Sequence, residues 1–157
     1  MISNVLIVCH ANVCRSPIAE ELFRRRAGRI CVVSAGIEAE VGYPAASGSI
    51  SVLSEIGLDI SAHRAQQCSQ QMIRDADLIL AMSSEQVEGI EARYPLTRGK
   101  IFRIGESLGI DISDPIGLPI DRFRECRETL SLAVDYWVRS LDLGVESSEL
   151  LSAGDEQ

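Results

Sequence analysis

Eight residues near the N-terminus, Cys9-His10-Ala11-Asn12-Val13-Cys14-Arg15-Ser16, place a thiol, a short loop and a guanidinium where one phosphate group can touch all three. They follow Val5-Leu6-Ile7-Val8, an unbroken apolar run that reads as a buried parallel strand, and precede Pro17-Ile18-Ala19-Glu20-Glu21-Leu22, which reads as the start of a helix. A loop between a strand end and a helix N-terminus carries unpaired N–H groups and the positive end of the helix dipole, so it favours an anion. The same field favours the thiolate form of a cysteine, the nucleophilic form, which makes Cys9 the candidate nucleophile. Arg15 offers a planar fork for two oxygens of a phosphate. Breaking a phosphate ester also needs a proton donor for the departing oxygen. Asp114, followed by Pro115 in a late Gly/Pro-rich stretch, is the candidate, and a plain turn-initiating role is the competing reading.

The elements that must hold these groups follow in order. A first helix runs to about Ala27 with Ile18, Leu22 and Phe23 on one face and Arg24, Arg25 and Arg26 at its end. The three arginines read as a solvated helix end ahead of a patch for an acidic partner. Ile30 to Val33, running on into Ser34-Ala35-Gly36, reads as a second strand, and Ile50, Leu53 and Ile56 as a helical stripe closed by Gly57. Asp77 to Met82 is a third strand, Val87, Ile90 and Tyr94 mark a helix ended by Pro95, and Ile101 to Ile104 is a fourth strand at an edge. From Gly105 to Pro119 five glycines and prolines and two aspartates spell a loop. Ile120, Phe123, Leu130, Val134, Trp137 and Leu141 then mark a long amphipathic helix. Strands alternating with helices predict an α/β fold: a single-domain three-layer sandwich, a four-stranded parallel sheet with helices on both faces and the phosphate loop after strand 1. The domain is expected over 1-143, with 144-157 an acidic, mobile tail.

Composition narrows the function. At 157 residues and 46% hydrophobic content the chain can bury a core without disulfide or metal support. Five cysteines at scattered positions, with no apolar leader before Cys9, indicate a reduced, cytoplasmic protein without membrane insertion. A net charge of −8 excludes a nucleic-acid binder, whose affinity comes from neutralising phosphates. Cys14 lies close enough to Cys9 to form a protective disulfide, with a buried hydrophobe as the plain alternative, and Cys31, Cys68 and Cys126 read as structural. No convincing ligand spacing supports a metal at Cys9, His10 and Cys14, and no cofactor is expected.

The segment Val8-Cys9-His10-Ala11-Asn12-Val13-Cys14-Arg15-Ser16-Pro17, Val33-Ser34-Ala35-Gly36, the strand over 77–82 and Asp114-Pro115 together resemble the low-molecular-weight protein tyrosine phosphatases, from Val5 to about Leu141. The nearest likeness is to bacterial members that act on the tyrosine autokinases of capsule and exopolysaccharide export. The resemblance implies a protein tyrosine phosphatase working through a cysteinyl phosphate, with Asp114 as general acid and a phosphotyrosine protein, a bacterial autokinase, as partner. It also implies a bracing network around the loop from Asn12, Ser16, Ser34 and His63, while Ser16 is equally placed as a helix N-cap. Two positions depart from the family's pattern: Ala11 where glycine is usual, and Ile116 where an aromatic residue walls the cleft. Tyr43 is the candidate replacement wall. The rival functions are a thioredoxin-coupled arsenate reductase, which needs further cysteines that the stretch Ser83 to Gly99 lacks, and a catalytically weak phosphotyrosine-binding module. Oligomeric state is not legible in the sequence.

Overall fold

The computed structural model describes residues 1–142; the expected acidic tail, 144–157, lies outside the described residues. Strands β1 (Asn4–Cys9), β2 (Cys31–Gly36), β3 (Leu78–Ala81) and β4 (Ile101–Arg103) form one parallel sheet in the order β2-β1-β3-β4. Helices α1 (Arg15–Arg26), α2 (Ser47–Ser54), α3 (Gln70–Asp75), α4 (Ser84–Arg93) and α5 (Ile120–Asp142) cover it.

Alternation along the strands divides the core in two. Val5, Ile7, Cys9, Leu78, Leu80 and Phe102 pack with Ile18, Leu22, Phe23, Val52, Leu53, Leu130 and Trp137 from α1, α2 and α5. Leu6, Val8, Ile79, Ala81 and Ile101 pack on the other face with Ile73 and Ile90 from α3 and α4. Because successive strand residues point to opposite faces, a sheet buried on both sides reads as a continuous apolar run. The three-layer sandwich expected from the sequence is therefore the observed fold. The chain leaves β1 for β2 on one side and later adds β3 on the other, so strand order reverses beside β1; open α/β sheets bind their ligands outside the strand ends at such a point.

Two local expectations need correction. The stripe Ile50, Leu53, Ile56 holds only in part: Leu53 is buried and Ile50 is half-buried against the core, but the helix ends at Ser54, Ile56 is exposed beyond it, and Ser49 and Val52 complete the buried face. The helix also packs closely on α5: a Cβ at Gly48 would come within 2.6 Å of the Phe123 ring, so a glycine stands where the two helices meet. The short helix α3, capped by the Ser69 hydroxyl accepting from Met72 N, stands where no periodicity marked one. In α5 the stripe is buried from Phe123 to Trp137, while Ile120 is exposed. The arginines ending α1 bind within the molecule: Arg24 and Arg25 pair with Glu20 and Glu21, and Arg26 reaches Asp135 and the Ser131 carbonyl.

Candidate active site

The loop after β1 is shaped by where its carbonyls go. Those of Cys9, His10, Ala11 and Val13 accept from the N–H groups of Ile37, Glu38, Glu40 and Ala46. The Asn12 carbonyl accepts from His63 Nε2 at 2.8 Å, and the Cys14 carbonyl from the Ser49 hydroxyl at 3.1 Å. Every carbonyl from 9 to 14 is thus turned outward and satisfied. The N–H groups of residues 10–14 find no acceptor among the described residues, which makes the loop a nest of donors. Asn12, at φ 62°, is the only non-glycine residue with positive φ among the described residues, and this left-handed step helps curl the loop. Ala11 has no positive φ, so the Cβ it carries in place of the family's glycine costs no backbone strain.

Helix α1 begins at Arg15, and its N-cap, Cys14, supplies no side-chain cap bond, leaving first-turn N–H groups beside the loop. Ser16 is therefore not the cap. It lies in the first turn, with its hydroxyl 2.9 Å from Cys9 Sγ.

The direction of that contact follows from Asn12. Gln66 N–H can only donate, so the Asn12 atom it meets at 2.9 Å is the carbonyl oxygen. The Asn12 amide nitrogen then donates to Ser16 Oγ at 2.8 Å and to Ser34 Oγ at 3.0 Å. With its oxygen already accepting, the Ser16 hydroxyl can turn its proton to the Cys9 sulfur, and Ser34 passes its own to Glu20. Asn12, Ser16 and Ser34 are all buried. The structure thus brings together all four residues expected to brace the loop, with His63 donating from Nε2 to a carbonyl. Glu20, Ser49 and Gln66 also belong to this network, and nothing in the sequence singled them out.

Arg15 is 7% exposed. Its Nη1 donates to the Ile112 carbonyl at 2.8 Å, and Nη2 lies 3.6 Å from Asp114 Oδ2. Nε is buried without a protein partner, so the Nε–Nη2 edge is the one that can meet two oxygens of an oxyanion. Asp114 does open a turn, its Oδ1 accepting from Ile116 N at 3.1 Å, yet its other oxygen faces Arg15. The turn role and the position over the site are held by the same side chain.

Burial pushes the Cys14 thiol up to about 12, with the Asp114 and Cys9 charges adding to the effect, and burial does the same to Cys126. Cys31, expected to be structural, is exposed at the start of β2. Tyr43 and Ile116 are both exposed. Tyr43 belongs to a segment tied to the phosphate loop at Glu40 and Ala46, and Ile116 follows the Asp114 turn. His10 stands at the rim beside Glu38.

Comparison with known proteins agrees with this geometry. The model of the low molecular weight phosphotyrosine protein phosphatases matches residues 4–147. The chain is 43% identical over 138 residues, 88% of this chain and 95% of the relative, to a Ralstonia nicotianae protein described as a probable low molecular weight protein-tyrosine-phosphatase EpsP. The crystal structure of the tyrosine phosphatase Wzb from Escherichia coli K30 with sulphate superposes with a TM-score of 0.86 at 32% identity, covering 90% of this chain and 99% of that one. A YwlE arginine phosphatase from Geobacillus stearothermophilus superposes at 0.85 and 32% identity, covering 90% and 94%. With its fold, its phosphate loop and these relatives in agreement, the chain belongs to the low molecular weight phosphotyrosine protein phosphatase family.

Proposed function

We propose that Cys9, Arg15 and Asp114 carry the hydrolysis of phosphotyrosine in this protein tyrosine phosphatase. The observation that carries the assignment is the Cys9 sulfur under a hydroxyl proton from Ser16, at the mouth of a donor-lined loop whose arginine keeps its Nε without a protein partner and its Nη2 beside Asp114. In the first step Cys9 Sγ attacks phosphorus in line, the bond from phosphorus to the tyrosine oxygen breaks, and Asp114 in its acid form protonates that oxygen. In the second, the Asp114 carboxylate takes a proton from water, the water oxygen bonds to phosphorus, and the thiolate leaves. The loop N–H groups of residues 10–15 and the Arg15 edge hold the equatorial oxygens throughout. Asn12, Ser16, Ser34 and His63 keep the loop in shape.

When a peroxide oxidises Cys9 to the sulfenic acid, the Cys14 thiolate attacks that sulfur, hydroxide leaves as water, and the resulting disulfide forestalls deeper oxidation. The raised pKa of Cys14 makes that closure slow at neutral pH and faster as pH rises. Tyr43 and Ile116 form the walls against the substrate ring; a Tyr43→Ala variant that keeps its kcat/KM for an aryl phosphate would remove Tyr43 from that role. The physiological substrate is a phosphotyrosine protein of the cytoplasm, a tyrosine autokinase of exopolysaccharide synthesis, on the strength of family resemblance. No helix among the described residues is long and apolar enough to cross a membrane. The phosphatase domain is residues 1–143, with 144–157 an acidic tail after it.

The test is hydrolysis of p-nitrophenyl phosphate, a phosphotyrosine peptide and a phosphoarginine peptide by wild type and Cys9→Ser, in chelator with reductant. Phosphotyrosine turnover lost in Cys9→Ser is expected. Turnover of phosphoarginine alone, or of none with arsenate reduced through thioredoxin, would overturn the reading.

A further inference from the structure

A groove of about 550 Å³ starts at the phosphate loop, where His10 and Arg15 line it, and runs along one face of α4 to Arg93. Ile37, just after β2, and Ile90 of α4 supply apolar lining. Three observations need a common cause. First, Gly89 stands inside α4 and lines the groove, although glycine is the weakest helix former apart from proline. Neither of the usual reasons applies: its φ is not positive, and a Cβ built on it meets nothing within 4 Å. What the missing side chain preserves is open space. Second, Arg93 has no carboxylate partner among the described residues and rests only over the Tyr94 ring, 5.4 Å from its centroid. Third, of the groove's basic lining residues His10 stands beside Glu38 and Arg15 beside Asp114, and the one lining carboxylate is Glu85, so the charge of the groove left unmatched is Arg93, at the end away from the phosphate loop.

We propose that this groove is a specificity subsite for the phosphoprotein: it takes an extended segment flanking the phosphotyrosine, with an acidic side chain of that segment paired to Arg93. The assignment rests on the phosphotyrosine reading above. From Ser83 to Arg93 the helix rises about 15 Å, which an extended segment covers in roughly four or five residues. The acidic residue accordingly lies about three to five positions from the phosphotyrosine.

The test uses two phosphotyrosine peptides, identical except that the third to fifth positions on either side carry Glu in one and Gln in the other. Each is assayed with p-nitrophenyl phosphate against wild type, Arg93→Gln and Gly89→Leu. Both substituted positions are exposed and leucine favours helix more than glycine, so folding is preserved. Arg93→Gln is expected to lower kcat/KM about fivefold for the Glu peptide and leave the Gln peptide unchanged. Gly89→Leu fills the groove and lowers kcat/KM for both peptides on the order of tenfold. Neither variant changes p-nitrophenyl phosphate hydrolysis. Peptide kcat/KM within twofold of wild type in both variants, with p-nitrophenyl phosphate turnover intact, would overturn the groove assignment alone. A wild type inactive on all three substrates would overturn the phosphatase reading and the groove assignment with it.

Discussion

Replacing Asn12 tests the loop's construction quantitatively. Asn12→Ala removes three hydrogen bonds, from Nδ2 to Ser16 and Ser34 and from Gln66 N–H to Oδ1. At about 1 kcal/mol each they sum to about 3 kcal/mol. The residue also sits at φ 62°, where alanine's Cβ costs a further ~1 kcal/mol that asparagine tolerates better. The expected destabilisation is therefore about 4 kcal/mol, large against a stability of about 5–15 kcal/mol and equivalent to roughly 10 °C in Tm for a domain of this size. Asn12→Gly separates the two contributions, because it loses the same bonds but accepts positive φ, so it should be about 1 kcal/mol less damaging than alanine. Urea denaturation of wild type and both variants gives the comparison. Activity should fall as well, since Ser16 no longer has its oxygen occupied and its proton committed to Cys9. An Asn12→Ala protein within about 1 kcal/mol of wild type, or less stable as glycine than as alanine, would refute the reasoning.

Asp114→Asn should keep the turn, since an amide oxygen can still accept from Ile116 N, and lose about 10²–10⁴ in kcat on a phosphotyrosine peptide, measured by phosphate release. Asp77 accepts from Ser3 N and Asn4 N, and chiefly the Ser3 bond holds its carboxyl below the usual range. That stability is present above the unfolded carboxylate pKa of about 4 and disappears as pH falls through the lower folded value. Asp77→Ala should therefore be less stable than wild type at pH 7 in urea titrations, with the gap closing in acid. Among the cysteines other than Cys9, exposed Cys31 should be alkylated by iodoacetamide well before Cys14 and Cys126, whose thiols burial pushes up to about 12, as timed by peptide mass spectrometry.

The sheet was legible because buried parallel strands read as apolar runs, and the alternation of those runs with helical stripes is enough to specify layers. The phosphate loop was legible for a different reason: a thiol and a guanidinium at that spacing between strand and helix have few other uses. What stayed hidden was set by tertiary contact. Gly48 and Ser49 face inward because Phe123 and the Cys14 carbonyl leave room for nothing larger or less polar, which no period in the sequence encodes. Glu20 and Gln66 join the loop network through pairings across 14 and 54 residues of chain. Ile112 enters through its carbonyl, which any residue type could supply. Asp114 was the intermediate case, a turn former by local rules whose second oxygen reaches the site only once the fold carries the late loop back to Arg15.

The most direct measurement is acid quench of the enzyme during turnover of a phosphotyrosine peptide, with peptide mapping of the trapped protein. The account predicts phosphate on Cys9 in wild type, none in Cys9→Ser, and a slower build-up of the same adduct in Asp114→Asn. Phosphate on any other residue, or turnover in Cys9→Ser near the wild-type rate, would contradict it.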